Sequence, residues 1–179
     1  MQLRRAAKRR RLKKSLGAYK EIDVKTGRVK QKENKIELYV RKMLEKHGIT
    51  FIQEKKVQYK KYKKKYDFLC YSEHSGYYFF IECDGSFWHA RDYQSGKVPY
   101  SKLSAIQKKN IRNDQLKTFI ADKMNVPLLR FWEEDIKFQT SAVEQKILEE
   151  INRQINLKNQ SPGEFTPGHS QTNEQMIII

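Results

Sequence analysis

Residues able to bind a metal or move a proton crowd into one short run, Ile81-Glu82-Cys83-Asp84-Gly85-Ser86-Phe87-Trp88-His89. The run reads as an apolar strand ending in two acids spaced i, i+2. A glycine follows, and His89 lies five residues past the second acid. Alternate strand residues share a face, so Glu82 and Asp84 point the same way. Two carboxylates on one face repel each other unless a cation sits between them. Such a pair suits a hard divalent cation such as Mg²⁺ (or Mn²⁺), and a nearby histidine can take or deliver a proton.

A hairpin must position these groups. Apolar runs at about 66–72 and 77–84 flank Glu73-His74-Ser75-Gly76, a turn signal. If Ser72 pairs with Tyr77, Asp67 falls opposite Glu82. Opposite residues have Cβ atoms about 4.5–5.5 Å apart. Asp67, Glu82 and Asp84 then form one acidic cluster. Cys70 and Cys83 fall on the other face with Phe68, Phe79 and Ile81, and read as buried packing thiols.

The remaining elements are coarser. A helix is expected over 34–47, with Asn34 and Glu37 as a capping box and Ile36, Tyr39, Val40, Met43 and Leu44 as its apolar stripe. Gly48 stops it. A strand follows at about 50–58. The segment Tyr59–Tyr66 is too charged to be buried and reads as a basic, aromatic-bearing loop or exposed edge. A loop covers 85–101. A helix over 102–124 has an apolar face of Leu116, Phe119, Ile120 and Met124, and sets Asn110, Asp114 and Lys117 on one polar face. A short buried strand at 127–131 and a helix at 139–156 complete an α/β domain with a mixed central sheet flanked by helices. Residues 1–33 form a basic arm, and 157–179 read as a disordered polar tail.

Composition limits the partners. The 179 residues carry a formal net charge of +16, and residues 1–20 hold nine Lys or Arg and no acid. That excess favours a polyanion, with nucleic acid first and an anionic membrane second. Arg9, Arg10, Arg11, Lys60, Lys63, Lys64, Lys109 and Arg112 are the candidate DNA-binding cations. The arm could instead be a solubilising or localisation tail. No apolar run approaches a membrane span, and the basic N-terminus lacks an apolar signal core. The expectation is an intracellular protein, not secreted and without a membrane partner. Two cysteines without CxxC spacing fit a reducing compartment and no structural zinc. Whether it is a monomer or homodimer is open at this stage.

An acidic cluster in so basic a chain is the pattern of a metal-dependent nuclease. The order of Tyr66-Asp67-Phe68, Ile81–His89, Asn110-Ile-Arg-Asn-Asp114 and Leu128-Leu-Arg-Phe-Trp-Glu133 resembles the restriction-like PD-(D/E)xK nuclease superfamily. It is most similar to the very-short-patch repair endonucleases and their EDxHD homing-endonuclease relatives in phages. The resemblance spans about residues 34–137. It implies a restriction-endonuclease-like core and a Mg²⁺-dependent endodeoxyribonuclease. By position it assigns Glu37 as the first-helix acid, Asp67 as the central metal-binding aspartate, His89 as the catalytic histidine and Asp114 as the later helix acid. Metal falls to Asp67 and Glu82, with Asp84 as a further ligand. Asp84 stands where the repair enzymes carry a histidine and a standard motif carries its lysine. The lysine's role then passes to His89 or to a helix residue such as Lys109. Phe87 and Trp88 could wedge into DNA as in the repair enzymes, although packing beneath the loop is the favoured expectation. The competing reading is a non-catalytic nucleic-acid-binding protein.

Overall fold

The computed structural model describes residues 34–160 and 176–178. Arg9, Arg10 and Arg11, with the rest of the basic arm, lie outside the described residues. The described residues from Lys35 onward belong to one unit.

Helix α1 covers Lys35–Lys46 and buries Ile36, Val40, Met43 and Leu44. Tyr39, assigned to the same stripe, is instead exposed. It lies at the margin of the apolar arc and its hydroxyl tolerates water. Gly48 follows at φ 61, a left-handed conformation that glycine adopts without steric cost.

Strand β1 (Phe51–Tyr59) turns at Lys60 into β2 (Tyr62–Ser72), which turns into β3 (Tyr77–Asp84). The segment expected as a loop or edge is therefore strand from Tyr62 on, and β2 is interior to the sheet, between β1 and β3. Its lysines Lys63 and Lys65 are exposed nonetheless. Pairing satisfies the backbone and says nothing about whether a face is covered.

The β2–β3 register runs from Ser72↔Tyr77 to Phe68↔Ile81, as the hairpin arithmetic requires. Strand β4 (Leu128–Trp132) lies parallel to β3, with Glu82↔Arg130 and Asp84↔Trp132 in register. A short strand β5 (Met176–Ile178) adds antiparallel to β1. The sheet is mixed, ordered β4-β3-β2-β1-β5. Between β3 and β4 come the short α2 (Arg91–Gln94), a 3-10 turn at Tyr100–Lys102 and the long α3 (Ala105–Lys123). Ser104 caps α3 and forms a capping box with Gln107. Helices α4 (Glu133–Phe138) and α5 (Thr140–Gln160) follow β4. The tail expected from residue 157 is thus helical to Gln160 and strand at Met176–Ile178.

Alternation on β3 divides the core. Phe79, Ile81 and Cys83 pack with Phe68, Cys70, Phe131 and residues of α1, α4 and α5. Phe80 faces the other way, with Tyr66, Leu69, Ile120, Ala121 and Met124, beneath α3. Both cysteines are free and buried on the expected face. Tyr66 stacks on Phe80 at 4.0 Å between centroids and 9° between planes. Burying each such ring is worth about 1.5–3 kcal/mol. Phe119, expected on the apolar face of α3, is exposed and lies edge-on to Tyr59 at 6.5 Å. Among the described residues no helix is long and apolar enough to cross a membrane.

Candidate active site

The carboxyl ends of the parallel strands β3 and β4 deliver Glu82, Asp84 and Arg130 to one edge of the sheet, beneath α3. Open α/β sheets place their binding crevices at such ends.

Asp67 reaches this edge by a local break in the ladder. Paired residues of β1 and β2 skip Glu54 and Asp67, and Glu54 has φ 54. Past Phe68↔Ile81, Asp67 Oδ2 accepts the backbone N–H of Cys83 at 2.8 Å. The carboxylate stands in for a ladder carbonyl. This corrects the simple picture of Asp67 paired face to face with Glu82, yet keeps the two charges close. Burial raises the Asp67 pKa, although the Cys83 N–H and Lys117 oppose it.

Glu82 is 2% exposed. Its Oε2 accepts from Lys117 Nζ at 2.5 Å, whereas Oε1 is buried without a hydrogen-bond partner. Burial and the neighbouring Asp67 charge push its pKa up to about 7, against the pull of Lys117. An unpaired buried carboxylate oxygen is costly, so a cation at this atom would relieve it.

Lys117 is one of two site residues, with Arg130, that reading the sequence missed. Its place on the polar face of α3 with Asn110 and Asp114 was legible, and all three do turn toward the site. Asn110 Nδ2 donates to Trp88 O at 2.9 Å, Asp114 meets His89, and Lys117 meets Glu82. Lys109, named with His89 as an alternative for the lysine's role, lies exposed two turns earlier. Glu37 accepts from Gln53 Nε2 at 3.4 Å on the α1 side, and its charge reaches Cys83.

Asp84 is also 2% exposed, and both its oxygens accept from Arg130, Nε and Nη2 each at 2.7 Å. Arg130 Nη2 lies 3.1 Å from Asp114 Oδ1 as well. Arg130 was not foreseen as a site residue. Register with Glu82 on the adjacent strand is what brings it here.

His89 sits on a tight turn whose backbone is fixed by His89 N to Gly85 O and Arg91 N to Ser86 O, each 3.0 Å. Ala90, next in the chain, is buried at φ 53. Such a conformation costs a non-glycine residue about 1–2 kcal/mol. His89 Nδ1 is 2.6 Å from Asp114 Oδ2 and 3.5 Å from Asp84 Oδ1. A carboxylate at Nδ1 holds the proton there and leaves the Nε2 lone pair for chemistry. Burial disfavours the imidazolium, but the Asp114 hydrogen bond and both acids outweigh it, so the His89 pKa is raised. Burial would raise Asp114, yet His89 and Arg130 hold it below the usual carboxylate range.

Phe87 and Trp88 are 64% and 52% exposed, in edge-to-face contact at 5.2 Å. The expectation that they pack beneath the loop is therefore wrong. Gln107 Nε2 holds Phe87 O at 2.8 Å and Asn110 holds Trp88 O, so the loop's backbone bonds to α3 and its rings face outward. Gly85 permits the close return of Trp88, whose Cδ1 would lie 3.3 Å from an added Cβ. Lys60, Lys63, Lys109 and Arg112 are exposed, and Lys64 donates to Asn113 beside Asp114.

Two groups could hold a metal. Ligand atoms of Asp84, His89 and Asp114 lie within 4.8 Å of one another. Arg130 already occupies the acids of that trio. Near Asp67, Glu82 instead offers Oε1, which has no hydrogen-bond partner. No protein-family model, no curated protein and no solved structure matches this chain.

Proposed function

We propose that the protein is a metal-dependent DNA endonuclease of restriction-endonuclease-like architecture, of the homing or phage type, related in design to the very-short-patch repair enzymes. The observation that carries this reading is the orphaned Glu82 Oε1 beside Asp67. When ionised, Asp67, Glu82, Asp84 and Asp114 outnumber by two the cations paired directly with them, Lys117 and Arg130, as long as His89 is neutral. One Mg²⁺ or Mn²⁺ matches that difference. Asp67 and Glu82 would hold the ion, which when bound lowers the pKa of water and neutralises charge on the phosphate.

The chain's own groups supply the rest. His89, with Nδ1 tied to Asp114, offers Nε2 to accept a proton from the attacking water or to return one to the leaving oxygen. Asp114 positions that ring and stabilises its charged form. Lys117 brings a cation to the scissile region from α3, the role a lysine two residues after Glu82 would otherwise fill. Glu37 stands behind the site on α1. Lys60, Lys63, Lys64, Lys109 and Arg112 supply affinity for the backbone of double-stranded DNA. The exposed Phe87–Trp88 pair is shaped to press between bases.

Supercoiled plasmid incubated with the pure protein tests this reading. Nicked or linear product is expected with Mg²⁺ or Mn²⁺, and none with excess chelator. Retention of DNA without cleavage in every divalent ion would favour the non-catalytic binding protein instead.

A further inference from the structure

The Asp84–His89–Asp114 cluster has the donor set of a metal site, yet a guanidinium stands in it. Arg130 Nη2 is 2.7 Å from Asp84 Oδ1 and 3.1 Å from Asp114 Oδ1, while Nε takes Asp84 Oδ2 at 2.7 Å. Strand pairing supports the arrangement. Parallel register sets Arg130 beside Glu82, and its side chain crosses one step to Asp84. We propose that Arg130 is a built-in cation that takes the place of a metal ion in the Asp84–His89–Asp114 cluster, so that this cluster orients His89 and only the Asp67–Glu82 pair is left to bind a divalent ion.

The competition is geometric. A hard divalent ion needs its oxygens at about 2.0–2.6 Å and several of them at once. Both Asp84 oxygens are instead committed to a planar fork that matches a carboxylate bidentately and is always charged. His89 would also have to give up Asp114 at Nδ1 to become a ligand there. Arg130 is a positioning residue in this account. Its guanidinium fixes Asp84 and Asp114, and Asp114 fixes the imidazole. The purpose assigned to His89 rests on the nuclease reading, whereas the occupancy of the cluster does not.

Mn²⁺ binding to the metal-stripped full chain, counted by electron paramagnetic resonance and calorimetry, tests the proposal. Arg130→Met is expected to bind one Mn²⁺ more than the wild type, with a melting temperature that rises more steeply with Mn²⁺. Adding Asp84→Asn to it should remove the extra ion, and Arg130→Lys should leave the wild-type count. Asp84→Asn alone keeps the wild-type count, an arm that stands even if Arg130→Met needs Mn²⁺ to fold. An unchanged count in Arg130→Met, or loss of an ion in Asp84→Asn, overturns the proposal. A wild type that binds no Mn²⁺ while Arg130→Met binds one would sink the nuclease reading and the Asp67–Glu82 site with it, and would leave Arg130's occupancy of the cluster standing.

Discussion

Lys117 Nζ donates to Glu82 Oε2 across 2.5 Å, joining the middle of α3 to the end of β3. The lysine side chain is 12% exposed and its ammonium also lies 5.7 Å from the Tyr66 ring centroid. The cation that meets Glu82 thus comes from the helix. Lys117→Met should lower single-turnover cleavage by about 10²-fold or more, the scale for removing a positioned charge stabiliser. It should also shift metal binding to higher pH, because Glu82 loses its compensating charge. Full activity of Lys117→Met would show that the lysine serves only to neutralise Glu82 in the metal-free protein.

His89 and Asp114 should behave as one unit. His89→Ala and Asp114→Asn should each reduce cleavage, and the double variant should be little worse than His89→Ala alone. A double-mutant cycle on single-turnover rates measures this. Strict additivity of the two losses would mean that Asp114 acts on something other than the imidazole.

The pH dependence has a definite sign. Glu82 has its pKa raised to about 7, and Asp67 is raised as well. Both must be ionised to hold a cation, so Mn²⁺ affinity should rise through pH 7 and flatten above it. In the metal-free protein Glu82 binds its proton more tightly folded than unfolded. Its contribution to stability is therefore complete below the unfolded carboxylate pKa and is lost as pH rises toward 7. Glu82→Gln should flatten both curves. Affinity that stays constant between pH 6 and 8 in the wild type would contradict the assignment of Glu82 as a ligand.

Exposure of Phe87 and Trp88 predicts a separation of stability from function. Replacing both with serine should change unfolding free energy by less than about 0.5 kcal/mol, as for surface substitutions in general. DNA affinity should fall in the same variant. Chemical denaturation and a retention assay measure the two effects. A large stability loss would mean that the rings are buried after all.

The hairpin, its register and the two faces of β3 were legible because strict alternation leaves little choice once Ser72 meets Tyr77. The cysteines fell on the apolar face for the same reason. Asp67's hydrogen bond to the Cys83 backbone was not legible, since it depends on a distortion opposite Glu54 that no residue type announces. Arg130 and Lys117 were visible in the sequence but not as site residues. Each reaches the site through packing between elements distant in sequence, a parallel strand register in one case and the rotation of α3 in the other. Charge misled at Lys63 and Lys65, which form strand while remaining exposed.

The most direct measurement is single-turnover cleavage of DNA in Mg²⁺ by the wild type and by Glu82→Gln, with DNA retention recorded on the same samples. Cleavage should fall by at least about 10³-fold in Glu82→Gln, on the scale of losing an essential catalytic group, while retention stays within about twofold. Undiminished cleavage by Glu82→Gln, or equal loss of cleavage and retention, would contradict the account.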